Sequence, residues 1–187
     1  MLADLLWAVL QKQVRSLNLS FQRQDCQLSL REGVAEYRSY LRDINRKAMV
    51  DSNGSRLISE HDVTHVIFGL DTTLEQEAGL DTWLLFGCQF KWRYLRGYSQ
   101  LPEVKALYKA LVADRGWRLF PQLYWKYLGL KWRIFRRVRS MHQKWPFQFP
   151  DECLDESIAA LREHHGICIL SAGERDTGEL LQWSGQY

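Results

Sequence analysis

Proline and cysteine are both scarce, at four residues each, and no apolar run approaches the length of a bilayer crossing. With so few prolines, long stretches of backbone keep their amide donors and stay free to be helical. Cys26, Cys88, Cys153 and Cys168 lie far apart and make no Cys-x-x-Cys pair. That spacing excludes a disulfide frame and a thiolate metal site and implies free thiols in a reducing compartment. Thr82 to Phe90 is among the longest uncharged stretches, about half of the roughly 18 residues that a membrane helix needs. The start, Met-Leu-Ala-Asp, lacks the cationic opening of a secretory signal, and Asp4 and Asp25 argue against a transit peptide. The expected location is cytoplasmic, with attachment to a membrane surface as the furthest departure from it. Hydrophobic residues at 46% and charged ones at 25% exclude disordered and collagen-like classes.

What the chain does have is aromatic mass, 13% of 187 residues, including eight tryptophans. Rings of that size must fill a core or line something apolar. The length suits one domain over residues 1–187, and the periodicity is mostly that of helices. Leu2 to Val14 and Val34 to Met49 repeat apolar residues at spacings of three and four. A helix is expected to open at Ser55 or Ser59 and stop near Gly69, and another to open at Thr72-x-x-Glu75 and carry Trp83, Leu84 and Phe86. Pro102 and Pro121 each open a further helix, Leu130 to Trp145 reads as helical, and Asp151 to His165 ends at Gly166. Asp51-Ser-Asn-Gly-Ser55 is the clearest loop. In the tail, Ile167–Leu170 and Leu180–Trp183 flank a Gly-rich turn and could pair as a short hairpin. The expected fold class is all-α, bundle-like.

The informative segment begins His61-Asp62-Val63-Thr64-His65 and reaches Glu77 after eleven more residues. Histidines four apart sit one above the other on a helix, so both imidazoles can meet one ion. Asp62 follows His61 by about 100° and can reach the rim of the same site. Glu77 would come from the next helix, folded back across the Gly-Leu-Asp-Thr-Thr turn. Two histidines and a carboxylate from neighbouring helices hold a divalent ion and leave positions open for water or a ligand. The stretch also holds Glu60, Asp62, Asp71, Glu75, Glu77 and Asp81 with no Lys or Arg from 57 to 90, a block of negative charge that invites a cation. Against this stands the plainer reading of two ordinary histidines at a helix start.

His-Asp-x-x-His, eleven residues and Glu resembles the metal signature of the coenzyme Q (ubiquinone) biosynthesis protein family, the fourth member of that pathway. The match is full at His61, Asp62, His65 and Glu77, and His-Val-Ile-Phe-Gly-Leu-Asp-Thr is similar to the family's apolar stretch and turn. Leu154-Asp-Glu-Ser-Ile-Ala-Ala-Leu-Arg-Glu-His-His-Gly-Ile167 is similar to its last helix. The resemblance covers roughly residues 55–170; the stretch before the metal motif looks shorter than in typical members. It implies an all-helical fold and a divalent metal held by His61, Asp62, His65 and Glu77. It also implies a place in quinone biosynthesis among prenylated aromatic intermediates, as a scaffold for the biosynthetic enzymes or as a lyase removing the ring carboxyl at C1. The ligand types favour zinc, with iron, manganese and magnesium as alternatives. The partners implied are a prenylated lipid or prenyl phosphate, a membrane surface, other quinone-biosynthesis proteins and a second copy of the chain.

Two rival metal readings are weaker. A His-Asp phosphohydrolase needs a further histidine upstream, and none precedes His61. A metalloprotease places Glu between its histidines, where this chain has the shorter Asp62. His164 and His165 are accounted for by the C-terminal end of a helix. A second feature lies downstream: residues 91–144 carry fourteen Lys or Arg against Glu103 and Asp114 alone. Within it Ile134, Val138, Met141 and Trp145 form one helical stripe, while Arg133, Arg136 and Arg137 occupy other faces. The plainer reading is a buried stripe with a solvated basic face; the functional one is contact with anionic lipid or with a prenyl phosphate. Nucleic acid is disfavoured by the acidic remainder. Trp83, Phe86 and Phe90 are the residues expected to line a lipid cleft if one exists beside the metal.

Overall fold

The computed structural model describes residues 19–44, 56–89 and 116–176, together with positions 51, 91, 105, 106, 109, 112 and 113. The expected helices over Leu2–Val14 and from Pro102 to Gly116, the end of the one reaching Met49, most of the Asp51–Ser55 loop and the hairpin arm Leu180–Trp183 fall wholly or largely outside these residues. The described residues are helical, with isolated bridges and no strand among them. In chain order the helices are α1 (Leu30–Asp43), α2 (Leu57–Phe68), α3 (Leu74–Thr82), α4 (Leu119–Lys126), α5 (Leu128–Val138), α6 (Ile158–His165) and α7 (Ala172–Arg175). A π-helical turn, Trp83–Gly87, continues α3.

Helix α1 opens on a capping box. The Ser29 hydroxyl accepts from the Glu32 amide at 3.2 Å, and the Glu32 carboxylate accepts from the Ser29 amide at 2.8 Å. Such a cap contributes about 1 kcal/mol. Leu30, Gly33, Tyr37, Tyr40 and Leu41 form its buried face. Gly33 lets three elements meet: a Cβ there would lie 2.6 Å from Ile158 Cδ1 and 2.8 Å from Val66 Cγ1. The contact therefore demands the smallest residue.

Helix α2 is the buried centre, enclosed from Asp62 to Phe68. It starts at Leu57, and the cap is neither Ser55 nor Ser59. The Asp51 carboxylate reaches in instead, accepting from the Ile58 amide at 2.8 Å and the Ser59 hydroxyl at 2.5 Å. It stops at Gly69, whose φ of 67° is left-handed, so the Leu70 amide can turn back to the His65 carbonyl at 2.9 Å. The remaining carbonyls of this end face Arg162, which is fully buried. Its Nε donates to Ile67 O at 2.8 Å and Nη2 to Val66 O at 2.8 Å. Nη2 also reaches Phe21 O, and Nη1 Arg23 O, both at 2.6 Å. One side chain of α6 thus ties the end of α2 to the segment before α1. Burial pushes its pKa down to about 10, which leaves it charged at neutral pH.

Three expectations change here. The helix through Trp145 ends at Val138, because the following residues satisfy their backbone groups elsewhere. The amides of His142 and Gln143 donate to the His165 carbonyl, closing the end of α6. Trp145 pairs with Gly87 and Gln89 through amide–carbonyl bonds of 2.9 and 2.7 Å. Ile134 and Trp145 are nevertheless fully buried and Val138 and Met141 pack on the core, so the apolar stripe holds where the helix does not. The stretch opened by Asp151 is a short 3₁₀ turn to Asp155, and α6 begins only at Ile158, capped by Ser157. In the tail, 167–170 runs without helix and leads into α7, not into a strand turn.

Replacing Arg162 with Met would leave four carbonyls without their donor. We expect a loss of about 3–5 kcal/mol in chemical denaturation. Arg31→Gln, which removes only an exposed pair with Asp155, should stay within about 0.5 kcal/mol.

Candidate metal centre

Three of the four expected ligands converge. His61 and His65 on α2 and Glu77 on α3 offer donor atoms that all lie within 4.8 Å of one another. His65 Nε2 and Glu77 Oε1 are 3.4 Å apart, and the two imidazole rings meet edge to face with centroids at 4.8 Å. Two bonds of about 2.1 Å at a tetrahedral angle place donors about 3.4 Å apart, so the His65–Glu77 pair already has the span of one ion. Bringing His61 in takes a movement on the order of 1 Å. Glu77 reaches the site because the turn after Gly69 reverses the chain. There Asp71 Oδ1 accepts from the Thr73 amide and hydroxyl at 2.8 and 2.7 Å, and Gln76 bridges back to the Asp71 carboxylate at 2.8 Å.

His65 is the fixed member. Its ring is fully buried, stacked on Tyr37 of α1 at 4.9 Å and 18°. Its Nδ1 lies 3.3 Å from the Leu70 carbonyl, and a carbonyl can only accept, so the proton sits on Nδ1. The Nε2 lone pair then points toward Glu77 Oε1. Two acceptors in that position suit a cation between them, either a proton or a metal ion. Orientation of a ligating imidazole by a carbonyl on its other nitrogen is the usual supporting arrangement of a metal site. His61 is half-buried, and burial pushes its pKa down to about 4, so the ring is neutral and ready to coordinate at physiological pH.

Asp62 is not part of the cluster. It turns to α1, where Arg38 Nε donates to Oδ2 at 2.8 Å and Arg38 Nη2 reaches the Ser59 hydroxyl at 3.2 Å. Burial raises its pKa to about 6, against the pull of Arg38. The acidic block is also compensated from outside itself: Lys131 of α5 stands near Asp81, and Arg175 near Asp71. The absence of Lys and Arg between 57 and 90 therefore does not leave Asp62, Asp71 and Asp81 without counter-charge, and the block by itself is no sign of a bound cation. Sequence reasoning missed Arg38 and the stacking role of Tyr37. Their separation from the motif by more than twenty residues gave no local signal; only their place on an amphipathic helix hinted at burial.

Of the residues expected to meet lipid, Trp83 is fully enclosed and stacks on Phe68 at 4.5 Å, a core role. Phe86 is 45% exposed and packs edge-on against Phe135 at 5.3 Å. Phe90 lies outside the described residues. Arg137 is held by both oxygens of Glu174 at 2.8 Å, and Arg133 reaches toward the Glu174 carbonyl. Arg136 instead joins Arg139, Trp132 and Phe135 around a cleft of about 380 Å³. The spacing 132, 135, 136, 139 is a single helical face, a signal present in the sequence and not used. Among the described residues no helix is long and apolar enough to cross a membrane. The chain matches no protein-family model, no curated protein and no solved structure.

The group His61, His65 and Glu77 could hold a metal ion. Titration with zinc by calorimetry should show binding that weakens at least about 100-fold in His65→Ala and Glu77→Gln, but only about tenfold in Asp62→Asn, whose carboxylate supports α2 through Arg38. A second prediction concerns acid. Between pH 6.5 and about 4 the unfolded chain protonates His61 while the metal-free fold refuses the proton, so His61 makes stability fall as pH drops. Asp62 works in the opposite sense: between about 6 and 4 the fold keeps a proton that the unfolded chain has released, so its contribution falls as pH rises. Replacing His61 with Gln should leave the second effect. The stability of His61→Gln relative to wild type should improve by roughly 1–2 kcal/mol on going from pH 7 to 4.5, read from urea midpoints.

Proposed function

We propose that the protein is a divalent-metal-binding member of a quinone-biosynthesis system, binding a prenylated intermediate and presenting it to the enzymes that modify the ring. The observation that carries this reading is the convergence of His61, His65 and Glu77 from two helices at the spacing of the coenzyme Q biosynthesis signature. The donor set of two imidazoles and one carboxylate suits zinc best and iron or manganese next; magnesium prefers oxygen and water. A bound ion would supply positive charge for an oxygen of the intermediate. The chain's own part is to hold two neutral imidazoles and a carboxylate on one side and to fix them through Leu70, Tyr37 and the Arg38–Asp62 pair.

A second reading, a lyase removing the C1 carboxyl of a prenylated aromatic acid, draws on the diversion of Asp62 to Arg38. Three protein ligands leave coordination positions open, the usual state of a catalytic site, whereas a fourth would close it. The two readings part on one measurement. Cells or extracts supplied with the His65→Ala protein, folded by circular dichroism, should keep forming C1-decarboxylated product under the scaffold reading and lose it under the lyase reading. Native mass spectrometry of the purified wild-type protein should show a co-purified isoprenoid; none bound, and no stabilisation by added prenyl phosphate, would remove both.

A further inference from the structure

Residues 116–150 contain no Asp or Glu and eight Lys or Arg. This stretch includes α4 and α5, and the structure divides its cations into two sets. Lys131 turns inward and donates to the Ala78 carbonyl of α3, and Arg137 is held by Glu174. Arg118, Lys126, Arg133, Arg136, Arg139 and Lys144 are exposed. Arg136 and Arg139 meet no carboxylate among the described residues.

The same elements expose the large apolar side chains of the molecule. Trp117 is 75% exposed, Trp125 69%, Trp132 61%, Tyr124 52% and Leu128 42%, and the π-helical turn adds Leu85 and Phe86 at 45% each. Several are joined: Phe86 packs on Phe135, which stacks with Trp132 at 5.7 Å and 25°. This row borders the cleft of about 380 Å³ whose other wall is Arg136 and Arg139. All known large exposed hydrophobics of the described residues thus belong to α4, α5, the turn that packs against α5 or the Trp117 position just before α4. Exposed apolar groups on that scale mark a contact surface.

We propose that this face docks on the surface of an anionic lipid bilayer, with Trp125, Trp132, Leu128, Leu85 and Phe86 entering the interface and Arg136 and Arg139 meeting headgroup phosphates. The charge complementarity selects the occupant. Tryptophan and tyrosine settle at the headgroup level, long basic side chains reach phosphates above it, and anionic lipid attracts each cation. A second copy of the chain would bring two uncompensated basic faces together. Single-stranded nucleic acid would stack on rings, but Leu85 and Leu128 offer it no stacking surface and suit hydrocarbon. The inner side of α5 packs on α3 so closely that a Cβ on Gly79 would lie 3.0 Å from Ile134 Cδ1. The docking face therefore lies one helix away from the one that carries Glu77.

The inference does not depend on the metal centre, and the test separates them. Full-length protein is sedimented with neutral phosphatidylcholine vesicles and with vesicles of roughly one-third phosphatidylglycerol, at rising salt. We expect association with the anionic vesicles that weakens with salt, falls about tenfold in the double variant R136Q/R139Q and in W125A/W132A, and persists in His65→Ala. Tryptophan emission should shift to the blue on binding and be quenched by brominated lipid, a readout on the wild type that needs no variant. Equal association with both vesicle types, or undiminished association of the two double variants with unchanged circular dichroism, would overturn the proposal. So would retardation of single-stranded DNA, or a dimer dissolved by W125A/W132A, in protein that leaves vesicles unbound.

Discussion

The Arg162 guanidinium lies fully buried among backbone carbonyls, and the positions of the other parts follow from it. Taking a guanidinium out of water is costly unless its donors are satisfied. Here four carbonyls satisfy them: Val66 and Ile67 at the end of α2, and Phe21 and Arg23 in the segment before α1. The positive charge also stands where the α2 dipole is negative, which favours it further. Because the donor on α6 and its acceptors on α2 and in the 19–23 stretch are bound together, the three segments cannot shift independently. The end of α2 is fixed, so the Gly69 turn is fixed, and so is the Leu70 carbonyl that turns the His65 ring toward Glu77. The order at the candidate metal centre is thus set by a residue outside the group His61, His65 and Glu77.

The parts of this arrangement that the sequence discloses are the local ones. His61 and His65 share a helix face at any reasonable helix geometry, and Gly69 announces the turn that brings Glu77 back. The buried stripe Ile134–Trp145 is legible from its spacing because packing follows the pattern of apolar residues. That the helix stops at Val138 is not legible, since Met141 and Trp145 keep the stripe's spacing while the backbone of His142 and Gln143 pairs with the end of α6 and that of Trp145 with Gly87 and Gln89. Asp62 shows the same limit at the site. One residue from His61, it can reach the rim of the site, and the family resemblance makes it a ligand; its partner Arg38 stands on another helix, and tertiary pairing decided its role. Counting charge along the chain has no access to that pairing, which is why the acidic block looked uncompensated. The capping box at Ser29-x-x-Glu32 was readable and marks the true start of α1.

Geometry at the centre argues for a cation more strongly than composition does. The Leu70 carbonyl places the His65 proton on Nδ1, so Nε2 and a Glu77 oxygen face each other 3.4 Å apart as two acceptors. A proton or a metal ion between them would relieve that opposition. Burial keeps His61 neutral at physiological pH, which removes proton competition from one ligand while leaving Glu77, about a third exposed, as the side open to solvent. That asymmetry, two imidazoles held by the core and a carboxylate at the rim, fits an ion entering from the Glu77 side.

Helix α5 connects this rim to the outer surface. Lys131 leaves the basic face and donates to the carbonyl of Ala78, the residue after Glu77, while Gly79 lets Ile134 approach α3 without a side chain between them. The outer row of α5 is therefore backed by the helix that carries Glu77. The face proposed to rest on lipid and the carboxylate at the rim of the candidate site thus stand on two helices in direct contact. Of the two unusual features of the chain, the acidic block reaches α5 through α3, the helix of Glu77, while the histidines stand one helix further in on α2.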